Sequence, residues 1–165
     1  MWTPLTFSIL LITSIFLWTG FFGPAVNLQY IQWTDDYCFE NERTWPNNLL
    51  SNANVKVKKF TYKPIGNCIF HINPEAFSSS QYDSIKYLDL KNAKLNSSVF
   101  EDFVFKFKNL ETLDLSNNYL EKITMNLTNE LPHLSHLIIR GNPKLSCECA
   151  TIQNLEYLHS VHLAF

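Results

Sequence analysis

The chain has 165 residues, with 13 Lys and Arg against 15 Asp and Glu, a net charge of -2 and an isoelectric point near 6.2. That length fits one domain, and the nearly neutral balance provides no electrostatic footprint for nucleic acid. With 46% hydrophobic and 17% charged residues, the chain is expected to pack a core, which excludes a disordered linker or tail.

Residues 5–22 are almost wholly apolar, including Phe7, Ile9, Leu10, Leu11, Ile12, Ile15, Phe16, Leu17 and Trp18, and Gly23-Pro24-Ala25 follows. Small residues at Gly23 and Ala25 suit signal-peptidase cleavage after Ala25, so residues 1–25 are expected to be a secretory signal peptide. The competing expectation is an uncleaved membrane anchor, since the apolar run is about 18 residues long and no Lys or Arg precedes it. Residues 26–56 show no regular repeat and carry Tyr30, Trp33, Tyr37, Cys38 and Trp45. In the next segment Val57, Phe60 and Tyr62 stand at the spacing that leucines take farther along, and Ile69, Ile72 and Phe77 follow.

The central stretch repeats. Ile85-Lys-Tyr-Leu88-Asp-Leu90, Leu110-Glu-Thr-Leu113-Asp-Leu115-Ser-Asn-Asn118-Tyr-Leu120 and Leu134-Ser-His-Leu137-Ile-Ile139-Arg-Gly-Asn142 start 25 and then 24 residues apart. Those spacings lie within the window of about 20–29 residues for the pattern L-x-x-L-x-L-x-x-N-x-L. Leu113 and Leu115 are two apart, so an extended strand points them the same way and points Thr112, Asp114 and Ser116 the other. Each unit then has an apolar face that only a stacked neighbour can bury, which predicts a parallel sheet with one exposed face. Asn118 and Asn142 sit where the chain leaves the strand and can bond backbone groups there. The unit at 85 has Ala93 at that position and Asn92 one place early, so its side-chain ladder is either broken or shifted.

In these residues the chain resembles the extracellular leucine-rich repeat family, Toll-like receptor ectodomains included. The resemblance implies an α/β leucine-rich repeat solenoid, a short horseshoe segment with a parallel β-sheet on its concave face. It divides the chain into an N-terminal cap at 26–56, about three and a half repeats at 57–145 starting near 57, 85, 110 and 134, and a partial C-terminal cysteine cap at 146–165. The convex segments would be 69–77, 99–107 and 120–131, with Phe77, Phe103 and Leu127 pointing inward. Asn96 and Asn126 open Asn-x-Ser/Thr sequons on the convex side and are expected to be glycosylated if the chain is exported.

Cys147-Glu-Cys149 follows Asn142-Pro143, and Ile152, Leu155 and Leu158 then recur every third residue, as on one side of a short helix. This looks like the start of the family's cysteine-flanked cap, expected to be incomplete where the chain stops at Phe165. Four cysteines allow three pairings. A ring closed between Cys147 and Cys149 would be strained, which favours Cys38 with Cys68. Cys147 and Cys149 then pair with another chain, await partners missing from a truncated product, or stay as buried thiols.

His133, His136, His159 and His162 flank Cys147 and Cys149, yet surface histidines explain them better than a zinc site, and no metal or cofactor is expected. No Ser, His and acid arrangement, phosphate-binding glycine loop or carboxylate pair marks an enzyme. In register, the exposed strand positions stack in three columns: Lys59, Tyr87, Thr112, His136; then Thr61, Asp89, Asp114, Ile138; then Lys63, Lys91, Ser116, Arg140. Of these, Lys59, Tyr87, Asp89, Lys91, Thr112, Asp114, His136, Ile138 and Arg140 form the expected ligand face, with Tyr87 as its aromatic anchor. The expected function is a secreted, non-catalytic recognition module of innate-immune type that binds a protein or microbial ligand or a receptor chain. The alternatives are a matrix or adhesion component joined through Cys147 and Cys149, as a disulfide-linked partner or homodimer, and a soluble competitor of a receptor. Membrane contact is expected only if the N-terminal apolar segment is retained.

Overall fold

The computed structural model describes residues 10–11, 29–35, 42–44, 56–64, 69–71, 73–96, 102–123, 127–146 and 160–162. Three short strands of the repeats come first in the logic of the fold: β6 (Tyr87–Asp89), β7 (Thr112–Asp114) and β8 (His136–Ile138). They pair in parallel, with Leu88 opposite Leu113 and Leu113 opposite Leu137. β4 (Lys59–Pro64) joins the same ladder and sets Phe60 opposite Leu88. The expected single row of apolar side chains is therefore present, and Phe60, Leu88, Leu113 and Leu137 are all buried.

Two more rows bury beside it. Val57, Ile85, Leu110 and Leu134 lie inside at the start of each unit, and Tyr62, Leu90, Leu115 and Ile139 two places past the central row. Burying a side chain of this size contributes about 1.5–3 kcal/mol, so three rows outweigh any surface contact in holding the coils together. The ion pairs between coils, Lys86 with Glu111, Lys108 with Glu130 and Lys144 with Glu121, are solvent-exposed and add at most about 1 kcal/mol each.

The ladder runs past the ends expected for the repeats. β2 (Tyr30–Asp35), inside the stretch expected to be a cap, pairs in parallel with β4 over six residues and places buried Ile31 opposite Phe60. The entry into each strand repeats one backbone motif. The carbonyls of Gln29, Lys58, Lys86 and Glu111 each accept two successive N–H groups of the next coil, such as Glu111 and Thr112 on Lys86 at 2.8 and 2.9 Å. Gln29 performs this role as Lys86 does, so β2 is a rung of the solenoid. On the far side β9 (Ser160–His162) pairs with β8, with Val161 opposite Leu137. β1 (Leu10–Leu11) lies beside β2, and the sheet order is β1-β2-β4-β6-β7-β8-β9 among the described residues. Aligned positions Tyr30, Lys59, Tyr87, Thr112, His136 and Ser160 are separated by 29, 28, 25, 24 and 24 residues.

Asn118 and Asn142 close their coils from within. The Asn118 amide donates to the carbonyls of Leu115 and Leu90 at 2.8 and 3.0 Å, and its oxygen accepts from the Leu95 N–H at 3.0 Å. Asn142 repeats the arrangement with Ile139, Leu115 and Leu120. In the unit at 85 the ladder is broken: Ala93 is buried and bonds back through its own N–H to the Leu90 carbonyl at 3.3 Å. The eighth residue of each of these three units, Asn92, Asn117 and Gly141, has φ between 56° and 71°. Only Gly, Asn and Asp adopt that conformation readily. At Gly141 a Cβ would also run into the amide oxygen of Asn117 on the preceding coil.

The opposite side of each coil is built from short turns and helices: a 3-10 turn at Pro74–Ala76, α1 (Ser79–Ser84), a helical turn at 102–104 and α2 (Leu127–Glu130). Phe60, Phe77, Tyr82, Phe103 and Phe107 interlock there, mostly edge to face, with ring centroids 4.7–6.3 Å apart. Phe77 and Phe103 point inward as expected, while the Leu127 side chain lies outside the described residues. Gln81, fully buried, accepts the Val57 N–H at 3.2 Å, and Ser84 Oγ donates to the Val57 carbonyl at 2.9 Å. α1 thereby satisfies the backbone at the start of its own coil.

Candidate functional site

With one face of the sheet buried, the side chains between the apolar rows have only the other face to occupy. The pairing brings Lys59, Tyr87, Thr112 and His136 into one column and Thr61, Asp89, Asp114 and Ile138 into the next. Hydrogen bonds from Asn92 N–H to the Ser116 carbonyl, 3.0 Å, and from Asn117 N–H to the Arg140 carbonyl, 2.8 Å, carry the register on to Lys91, Ser116 and Arg140. The column members differ in what they offer. His136 and Arg140 are exposed, and Lys59, Tyr87, Asp89, Lys91, Thr112, Asp114 and Ile138 are half-buried. Thr61 and Ser116 are buried and present nothing to a ligand.

Tyr87 is not the bare aromatic anchor that the sequence suggests. The Lys59 ammonium sits 4.1 Å from the centre of its ring and 5.2 Å from that of Tyr30 on the next strand. A cation held over aromatic faces in this way contributes about 0.5–2 kcal/mol. Burial, reinforced by the charges of Asp89 and Asp114 and by Tyr30, raises the Tyr87 hydroxyl above its ordinary pKa. Tyr30 donates to Gln32 Oε1 at 3.0 Å, and both residues extend the first two columns by one strand. Neither was legible as a site residue until β2 was seen to be a rung. On β9 the backbone pairing sets Ser160 opposite His136 and His162 opposite Ile138.

The two aspartates have a local structural task. Asp89 Oδ1 accepts the Lys91 N–H at 3.1 Å, and Asp114 Oδ1 accepts the Ser116 N–H at 2.9 Å and the Ser116 hydroxyl at 2.5 Å. Each carboxylate thus closes a turn onto the residue two places on, the reason short acidic side chains suit strand ends. Burial raises the Asp89 pKa; the Lys91 N–H bond opposes this, Asp114 adds to it, and Lys59 and Lys91 counter it. His136 Nδ1 lies 2.9 Å from the Ser135 hydroxyl, which also donates to the Glu111 carbonyl. No group of three or more metal-ligating side chains gathers among the described residues.

Asn96 is exposed, whereas Asn126, Cys38, Cys68, Cys147 and Cys149 lie outside the described residues. A second, two-stranded sheet pairs β3 (Glu42–Thr44) with β5 (Ile69–His71) and sets Glu42 opposite Ile69, the residue after Cys68. Among the described residues no helix is long and apolar enough to cross a membrane.

Residues 83–143 match the leucine rich repeat family. Over 100 residues the chain is also 30% identical to Chaoptin of Drosophila melanogaster, which covers 58% of this chain and 8% of Chaoptin. The chain therefore spans less than a tenth of that relative's length. No solved structure matches. The family match, the similarity to Chaoptin and the parallel ladder together support leucine-rich repeats wound as a solenoid, an architecture suited to protein recognition.

Proposed function

We propose that this chain is an extracellular, non-catalytic recognition module that binds a protein partner on the exposed, concave face of its sheet, in the manner of an innate-immune receptor ectodomain. The observation that carries this reading is the registered face itself. Tyr30, Lys59, Tyr87, Thr112 and His136 stand on successive strands about 4.8 Å apart, so a rigid backbone fixes a set of polar and aromatic contacts in advance. Preorganised side chains of this kind lose little entropy on binding.

Export fits the apolar segment at 5–22 and the Gly23-Pro24-Ala25 that follows it. In this reading Asn96, exposed off the sheet face, carries a glycan without obstructing a partner. A Cys38–Cys68 bridge would pin the segment between β2 and β3 to the entry of β5, in keeping with the pairing of Glu42 and Ile69. Affinity capture from the extracellular fraction, with wild type and with Tyr87→Ala/His136→Ala, tests the site. Loss of the captured protein by about ten-fold or more is expected for removal of central contacts. Undiminished capture by the folded double variant would discard the face as the binding site.

A further inference from the structure

We propose that the partner presents an acidic, extended segment, laid across the strands along Lys63, Lys91 and Arg140; this rests on the sheet face being the binding site. Away from the sheet face, Lys86, Lys108 and Lys144 each have a glutamate from a neighbouring coil. On the face, Lys63, Lys91 and Arg140 form one column at the exits of β4, β6 and β8, and none has a carboxylate at ion-pair distance among the described residues. Lys63 and Arg140 are exposed and Lys91 is half-buried. Lys63 and Lys91 lie two residues past the pair Thr61 and Asp89, hence side by side, while buried Ser116 leaves a gap before Arg140.

Three strand spacings separate Lys63 from Arg140, about 14 Å. An extended peptide places alternate side chains about 6.6 Å apart, so acids at positions i, i+2 and i+4 cover about 13 Å. The lengths agree. Asp89 and Asp114 in the adjoining column decide against a uniform polyanion, because charge on every unit of a sulfated glycan would meet two carboxylates already committed to their turns. A peptide can set its acids over the cations and neutral or basic residues over the aspartates.

The probe is a fluorescein-labelled peptide of alternating Glu and Ser, followed by fluorescence anisotropy with the full chain. A Gln-Ser peptide and a heparin oligosaccharide serve as rivals. The Glu-Ser peptide is expected to bind, to weaken with added salt, and to weaken by about ten-fold or more in Lys91→Glu/Arg140→Glu. Lys63→Glu, a change at an exposed side chain, is expected to weaken it less and serves as the second variant should the double one unfold. Equal binding of the Gln-Ser peptide, no effect of the reversals, or binding of heparin without binding of the Glu-Ser peptide would each overturn the proposal. If the captured partner is lost with Tyr87→Ala/His136→Ala but unaffected by the lysine and arginine reversals, the sheet face stands and the acidic segment falls. If neither set affects capture, the face itself falls.

Discussion

Asn118 satisfies four backbone groups with one amide. Its hydrogen bonds reach Leu90, Leu95, Leu115 and Ser116, all within the coil-to-coil seam, and the side chain is 1% exposed. Replacing it by Ala strands buried carbonyls and an N–H that water cannot easily reach, each worth about 1–3 kcal/mol. Asn118→Ala is therefore expected to lose about 2–4 kcal/mol in denaturant unfolding; a loss below about 1 kcal/mol would mean that solvent enters the seam. In the unit at 85, which lacks such a residue, the Leu90 carbonyl accepts from the Asn118 amide and from the Ala93 N–H. At this scale the sequence was legible where a side chain has one task. Asn118 and Asn142 could be read from their position in the repeat. Asp89 and Asp114 could be placed on the sheet face but not assigned to their turns, since an exposed strand aspartate looks the same whether it awaits a ligand or holds a backbone N–H.

Elements were legible where leucine marked them. β6, β7 and β8 follow directly from the leucine spacing, but β2 and β9 carry the same pattern in other residues. Leu28-x-x-Ile31-x-Trp33 and Leu158-x-x-Val161-x-Leu163 both have the three-then-two spacing. A step of three is shared by helix and repeat, and only the following step of two selects the strand; the aromatic and β-branched substitutes hid that second step. The aromatic wedge opposite the sheet was likewise visible only in part, because inward phenylalanines do not disclose their partners. Tyr82 of α1 packs against Phe77, Phe103 and Phe107, and burial pushes its hydroxyl up to about 12. The unfolded chain ionises this group near 10, so the fold, which binds the proton longer, loses stability as pH rises from 10 to about 12. Tyr82→Phe removes that linkage. Its melting temperature relative to wild type should rise between pH 9 and pH 11, toward and past the ordinary tyrosine range of about 10; a constant difference would show that Tyr82 ionises without consequence for folding.

The whole molecule is close to one-dimensional: each coil touches its neighbours, and the ladder propagates through them. Phe103 contacts Phe77, Tyr82 and Phe107, joining the coil at 57 to the one at 85. Phe103→Ala should cost about 3–5 kcal/mol. Hydrogen exchange should accelerate most at the amides of Lys86 and Tyr87, which bond Lys58 across that junction, and less at Ser135, bonded to Glu111. A uniform acceleration would instead identify a single cooperative body. That a solenoid would form was legible from the leucine period; how many rungs it has was not, because the outer coils use few leucines.

The shrinking interval between aligned residues, 29 and 28 at the start and 24 at the far end, has a consequence for interior volume. A longer loop of chain encloses more room: the 28-residue turn is filled by Phe60, Tyr62 and Phe77, the 25-residue one by Phe103 and Phe107 beside Leu88 and Leu90, and the 24-residue one after it by Leu113, Leu115 and Leu120. Girth and filling are matched turn by turn, as close packing requires. The windings are consequently not interchangeable: transposing a wide one with a narrow one would open a void at one place and force rings into too little space at the other.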